Sequence, residues 1–330
     1  MEMQNLSLRP FRPEDLDRIS EIESRIVGHP RKGFLSRRFS VSAATPDGFI
    51  TCAAAGGGEK IAGYGIARLQ EGEFGIRGAA AVLDVIGVDP DAQGKGIGKA
   101  VIAAIEEQAK KRNIGTLRTQ VAWGNRAMTG FFSSTGFLLA PFQIIERDTS
   151  PLGEEIAEVV PVKMDGKWQV HSGAGGDYYE KLSRDKVTVR SLKEGDLAAI
   201  VRIDGKHTGL DRSAYFGAKF REMLVESGIR VSLVAEDDGI ATGFIMARVD
   251  FGEFGKVEKT AMIDTIGVHP AYGGSGIGHA LLSQLLLNLS TLKVETVLVQ
   301  VSQENFNLQR FLHARGFRQS QRLVLTKTLR

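Results

Sequence analysis

Val82-Leu83-Asp84-Val85-Ile86-Gly87-Val88, followed by Gln93-Gly94-Lys95-Gly96-Ile97-Gly98, has a second version in the same chain. That version is Met262-Ile263-Asp264-Thr265-Ile266-Gly267-Val268, followed by Gly273-Gly274-Ser275-Gly276-Ile277-Gly278. A constant shift of 180 residues relates the two, and it also carries Pro90 onto Pro270, Gln120 onto Gln300, Asn125 onto Asn305 and Gly136-Phe137 onto Gly316-Phe317. Nearer the start the shift is 181, pairing Arg9 with Arg190, Asp15 with Asp196 and Leu16 with Leu197. Chance similarity does not hold register across so many glycines, so the chain is an internal duplication.

Working outward, each repeat opens with an alternating strand, at 6–9 and at 187–190. Apolar spacing at Leu16, Ile19 and Ile22, after Pro13, predicts a helix over 15–26. Strands are expected at 60–69 and 81–88, and the glycine-rich loop leads into an amphipathic helix at 98–112. A strand at 116–122, a short helix at 126–134 and a last strand at 142–147 complete the first repeat. The second repeats the order, with a helix at 279–292, whose leucine stripe Leu281, Leu282, Leu285, Leu286 and Leu289 reads as core, and a strand at 295–301. Strands outnumber helices, which points to an α/β chain built on mixed sheets with helices on their faces. The expected organisation is a domain at 1–150, a linker at 151–184 rich in glycine and serine (Gly173, Gly175, Gly176), and a domain at 185–330.

The chain has 330 residues, 42% hydrophobic and 25% charged, with a net charge of +3. That is long enough for two ordinary cores, and the composition is that of a soluble globular protein. Without a concentrated basic surface, nucleic acid is not an expected partner. Cys52 is the single cysteine and sits beside Ala53 and Ala54, so it reads as a small core residue. His207, His269, His279 and His313 lack metal-ligand spacing, and no metal site is expected. Met1-Glu2-Met3-Gln4-Asn5 has no secretory character, and no apolar run approaches the ~20 residues of a membrane span. A cytoplasmic protein without a membrane partner is expected.

The loop at 93–98 lies between a strand and a helix start, where glycines let backbone amides converge on an anion. A Walker A loop would need glycine at Gln93 and Ser or Thr at Ala100. A dinucleotide fingerprint would need a small residue at Lys99 or Val101. What remains resembles the pyrophosphate loop of the GNAT superfamily of N-acetyltransferases, whose pattern Gln/Arg-x-x-Gly-x-Gly/Ala is met by Gln93 to Gly98. Val88-Asp89-Pro90 and the run from Asn125 to Gly136-Phe137 are similar to that family as well, and the likeness covers each repeat outside the linker.

The resemblance implies two tandem GNAT-like domains, each a mostly antiparallel central sheet flanked by helices. It implies acetyl-CoA or another acyl-CoA as cofactor. Gln93, Gly94, Lys95, Gly96, Ile97 and Gly98 would then hold the pyrophosphate, Ile86 and Val88 would meet the pantetheine arm or thioester, and Asn125 would bond the cofactor or cap the next helix. Strand 81–88 would splay from strand 116–122 to admit that arm. In the second repeat the corresponding residues are Ile266, Val268, Gly274, Gly276, Ile277, Gly278 and Asn305, but Gly273 replaces the leading glutamine. Binding there is expected to be weaker, or the second domain structural.

Acyl transfer to an amine needs a base and an acid. Asp84 and Asp264, each mid-strand and in alternating register with apolar neighbours, read either as the base, partly desolvated, or as structural carboxylates. The family's tyrosine, four residues before the Gly-Phe glycine, is replaced by Phe132 and Leu312. Trp123 reads as packing or as the lining of a cleft mouth, and Arg31, Lys32, Arg37 and Arg38 as an exposed basic face or a lure for an acidic acceptor. The acceptor pocket is expected around 28–40 and 209–218. The expected activity is N-acetyl transfer to a small-molecule amine or a protein lysine, by a monomeric pseudo-dimer or homodimer. A non-catalytic acyl-CoA sensor is the alternative.

Overall fold

The computed structural model describes residues 6–28, 30, 32–57, 60–71, 78–152, 162–164, 167–169, 187–221, 229–250 and 259–329. Glu73 and Glu253, which the sequence repeats within Gly-Glu-Phe-Gly and which read as solvated hairpin-turn residues, lie outside the described residues, as do Arg31 and most of the linker. The first repeat runs β1 (Ser7–Arg9), α1 (Asp15–Val27), α2 (Lys32–Ala44), β2 (Phe49–Ala55), β3 (Ile61–Glu71), β4 (Ala79–Val88), α3 (Ile97–Lys111), β5 (Thr116–Ala122), α4 (Arg126–Ser134), β6 (Leu138–Leu139) and β7 (Phe142–Asp148). A short hairpin, β8 (Val162–Met164) with β9 (Lys167–Gln169), follows in the linker. The second repeat runs β10 (Thr188–Ser191), α5 (Leu197–Thr208), α6 (Ser213–Arg221), β11 (Leu233–Asp237), β12 (Ile240–Asp250), β13 (Thr260–Val268), α7 (Ile277–Thr291), β14 (Thr296–Ser302), α8 (Phe306–His313), β15 (Arg318–Gln319) and β16 (Arg322–Thr328).

Two seven-stranded sheets carry these elements, in the orders β1-β2-β3-β4-β5-β16-β6 and β10-β11-β12-β13-β14-β7-β15. The expected pair of mixed sheets flanked by helices is therefore present, with one feature that sequence reading did not foresee. The last strand of each repeat, β7 and β16, sits in the sheet begun by the other. By compactness the chain divides into two discontinuous units. One joins Met1–Arg147, Val249–Asp264 and Thr296–Arg330, and the other joins Asp148–Arg248 and Thr265–Glu295.

In the first unit, the first sheet is covered on both faces, which explains why its strands are almost continuously apolar. On one face, Val101, Ile102, Ile105 and Ala109 of α3 pack on Cys52, Ala81, Leu83, Leu117 and Val121. On the other, Ile19 and Ile22 of α1 and Phe34 and Leu35 of α2 pack on Ala53, Tyr64, Ile66 and Val85. Each fully buried aliphatic side chain here contributes about 1.5–3 kcal/mol. Helix α3 lies close on β3 because that strand has glycines where it passes: a Cβ on Gly63 would stand 2.6 Å from Ile97 Cγ2, and one on Gly65 2.8 Å from Val101 and Ile105. The start of α1 is fixed by Asp15, which takes two bonds from the Arg9 guanidinium at 2.7 and 2.8 Å and one from the Arg12 amide.

The second unit has the same entry device, with Arg190 clasping Asp196 through two bonds of 2.8 Å. Its β10, β11 and β12 are antiparallel. Helices α5 and α6 place Ile200, Ile203, Tyr215 and Phe216 on Val234, Phe244 and Met246. The leucine stripe of α7 is buried throughout, as its spacing predicts.

Candidate functional site

Strand β4 pairs with β3 from Glu71↔Ala79 to Gly63↔Val88, with one residue left out of the ladder. On its other edge, parallel pairing with β5 stops after Ala81↔Leu117 and Val82↔Arg118. The hydroxyl of Thr119 then donates to the Leu83 carbonyl at 3.0 Å, and beyond that point the two strands part. The second repeat does the same after Ile263↔Val299.

A β-bulge accompanies the parting. Ile66 opposes Val85 and Ala67 opposes Leu83, so Asp84 is an extra residue without a partner on β3. Bulges bend a strand and re-aim side chains. Leu83, Ile86 and Val88 pack toward α3, whereas Val85 packs toward α1 and α2. The simple alternation read from the sequence is therefore broken at Asp84. Its carboxylate points to the α2 side, where Arg38 Nη2 and Arg68 Nε both approach Oδ2 at 3.3 Å. Arg68 Nη2 also donates to Oδ1 at 3.5 Å. Asp84 is 1% exposed. Arg38 thus belongs to a buried ion cluster and not to an exposed basic face, while Lys32 pairs with Asp17 at the surface. Asp264 is buried too, and the positions matching Arg38 and Arg68 hold Lys219 and Arg248, both buried.

From Val88 the chain enters a turn anchored by Asp89. Burial opposes ionisation of this carboxyl, but the Asp91 amide and the guanidinium groups of Arg18 and Arg25 outweigh it and hold it below the ordinary range. Arg18 and Arg25 lie on α1, so that helix braces the turn that precedes the loop. Gln93 donates its side-chain amide to the Val88 carbonyl at 3.3 Å, and Lys95 donates to the Asp91 carbonyl at 3.1 Å. Gly94 and Gly96 adopt φ of +75° and +78°, which L side chains rarely tolerate. The first helical hydrogen bond of α3 runs from Ala100 to the Gly96 carbonyl, so the amides of Ile97, Gly98 and Lys99 have no intrahelical acceptor. No side chain caps this end. A helix start stripped of caps, with glycines holding its amides open, suits a diphosphate.

The second loop keeps this form: Gly274 and Gly276 have φ of +80° and +81°, and Ala280 bonds the Gly276 carbonyl. His269 replaces Asp89 as the turn's anchor, with Nδ1 accepting from the Ala271 amide at 3.2 Å. Asn125 and Asn305 cap α4 and α8, accepting from Met128 and Leu308 at 3.1 and 3.2 Å. Phe132 is buried edge-on between Phe131 and Phe137, and Leu312 is buried likewise. Trp123, just past β5, is 71% exposed, which removes the packing reading. Among the described residues no group of three His, Cys, Asp or Glu side chains is placed to hold a metal. No helix there is long and apolar enough to cross a membrane.

Sequence reading assigned Arg38 to a surface role, and it missed Arg68, Thr119 and the Arg18–Asp89–Arg25 brace. A signal for Arg38 and Arg68 was present, since basic residues recur at the repeat shift, as Lys219 and Arg248.

The model of the acetyltransferase (GNAT) family matches residues 14–137 and 202–317. A curated relative, the mycothiol acetyltransferase of a Nocardioides species, is 27% identical over 146 residues, which is 40% of this chain and 50% of that protein. The chain thus matches about half the length of that relative. Among solved structures, a tandem GNAT protein from the clavulanic acid biosynthesis pathway superposes with a TM-score of 0.62 at 16% identity, over 98% of this chain and 99% of the other. A GCN5-related N-acetyltransferase from Sphaerobacter thermophilus gives a TM-score of 0.60 at 14% identity, over 100% and 98%. At these identities the structural likeness speaks to the fold alone.

Proposed function

The chain belongs to the acetyltransferase (GNAT) family, matched in both repeats, and on that premise we propose an acyl-CoA-dependent N-acyltransferase that moves acetyl from acetyl-CoA directly to a primary amine. The observation that carries the proposal is the uncapped, glycine-opened start of α3 beside the parted strands β4 and β5. The repeats, 1–150 and 185–330 joined through 151–184, would each present one such site. The first is the better catalytic candidate, because Gln93 ties its loop to Val88 and α1 braces the turn. A small-molecule amine or a protein lysine is the proposed acceptor class, and the cytoplasm the proposed compartment.

In this reading the amides of Gly94, Gly96 and Gly98 hold the diphosphate, with the positive end of α3 behind them. Ile86 and Val88 present backbone along the opened edge of β4, and Asn125 fixes the start of α4 beside it. Bound acetyl-CoA supplies an activated thioester. Asp84 is the proposed proton acceptor for the incoming amine, and Asp264 its counterpart; the arginines around Asp84 support a second role, that of fixing the bulge.

Calorimetric titration with acetyl-CoA, repeated on Gly96→Glu and Gly276→Glu, tests the assignment. Two sites, each lost with its own substitution, mean that both cradles bind. A single site lost only with Gly96→Glu makes the second repeat's cradle silent. No binding of acetyl-CoA or longer acyl-CoAs by the intact chain sinks the cofactor assignment. A non-catalytic acyl-CoA sensor is the second reading, favoured by the buried Phe132 and Leu312 where the family often has a tyrosine. Binding without turnover across a broad amine panel would favour it.

A further inference from the structure

Strand β16, from the end of the second repeat, pairs antiparallel with every residue of β5, from Arg322↔Ala122 to Thr328↔Thr116. Its other edge meets β6 at Leu325↔Leu139 and Thr326↔Leu138. The equivalent strand of the first repeat, β7, lies between β14 and β15, with Arg318↔Glu146 and Gln319↔Ile145. The exchange is reciprocal.

Its consequence falls on the candidate site. Strand β5 is one bank of the gap that opens beside β4, and its far edge is held entirely by β16. Leu325 and Leu329 belong to the same buried cluster as Ile97, Val101 and Ile105 of α3, the helix whose first turn forms the cradle. Lys327 forms an ion pair with Glu106 of that helix. The exposed Trp123, where the chain leaves β5, donates its amide to the Gln321 carbonyl at 2.8 Å. Residues 321–329 thus hold the far edge of that bank, add to the packing under the cradle and anchor the turn at its end.

We infer that the last strand of the second repeat is a positioning element of the first repeat's site, so that the second repeat is indispensable to the first even if its own cradle binds nothing. The part of this that concerns the cofactor rests on the function proposed above; the interlocking of the repeats does not. A β-strand contributes most of its stabilisation through its partners, and an edge stripped of them frays or aggregates.

The first test is a full-length chain with a protease recognition sequence inserted between Gly173 and Gly176, cut after purification. The two fragments are expected to co-elute one to one in native buffer and to separate only in denaturant. Separate elution of folded fragments in native buffer would overturn the inference. The second test is Leu325→Ala in the uncut chain, followed by hydrogen exchange without ligand. Amides in 116–122 should exchange on the order of a hundredfold faster while those in 296–302 do not change. Ile145→Ala should do the reverse. Acceleration of 296–302 by Leu325→Ala, or no change in either segment, would refute the exchange. Leu325→Ala should also weaken acetyl-CoA binding at the Gly96 site. If hydrogen exchange behaves as expected and the intact chain binds no acyl-CoA, the interlocking stands and the cofactor assignment falls.

Discussion

Replacing Asp84 by asparagine keeps the side chain's shape and removes its charge, leaving Arg38 and Arg68 facing each other in the interior. At an effective dielectric near 20, a unit pair about 4 Å apart is worth roughly 4 kcal/mol. Asp84 lies 3.3 Å from each guanidinium, and its side chain is fully buried. Desolvation offsets much of that attraction in the intact cluster, but removing one charge from a buried cluster typically costs about 3–5 kcal/mol. For the first unit, of roughly 200 residues, each kcal/mol shifts the melting temperature by roughly 2–4 °C, so Asp84→Asn should lower its melting by on the order of 6–20 °C. Calorimetric melts of Asp84→Asn, Arg68→Met and the double variant give the coupling directly. The double variant should recover part of the loss, because the surplus positive charge is gone. A shift of less than about 2 °C for Asp84→Asn would refute the view that this cluster stabilises the bulge. Asp84 would then stand as a carboxylate kept for proton transfer.

Four further outcomes can be measured on the same protein. Burial pushes the Cys52 thiol up to about 11, leaving on the order of a thousandth ionised at pH 8; a thiol reagent should therefore label Cys52 only after denaturation, and rapid labelling of the native chain would contradict its placement. Burial opposes ionisation of Asp15 and Asp196, yet their arginine bonds outweigh it and leave both carboxyls below the ordinary value. Their stabilisation is thus complete above about pH 4 and lost as pH falls through the depressed folded value. Melts between pH 2 and 6 should show a shallower acid limb for Asp15→Asn than for the parent, and equal slopes would refute the linkage. Gly87→Ala would bring a Cβ within 2.6 Å of the buried Tyr64 ring, an overpacking cost of about 1–3 kcal/mol. Gly33→Ala on α2 meets nothing within 4 Å and should stabilise by about 0.5–1 kcal/mol in urea unfolding.

The amino-acid sequence by itself determined the duplication, because glycines and apolar runs held one register across the chain. It located β5 and α4 at their observed bounds, and α3 within a residue, since strand alternation, helical spacing and an asparagine cap are local signals. It also marked the two loops, because only glycine takes φ near +75° or +80° without strain. Tertiary structure alone decided that Asp84 is the extra residue of a bulge and meets Arg38 and Arg68, which lie far from it in sequence and are brought close only by the packing of α2 on β3 and β4. It alone decided where β7 and β16 go. The two strands share one burial pattern, and a strand's sequence specifies its faces but not its neighbour. That choice is made by non-local pairing and by which core receives Leu325, and neither leaves a local mark in the chain.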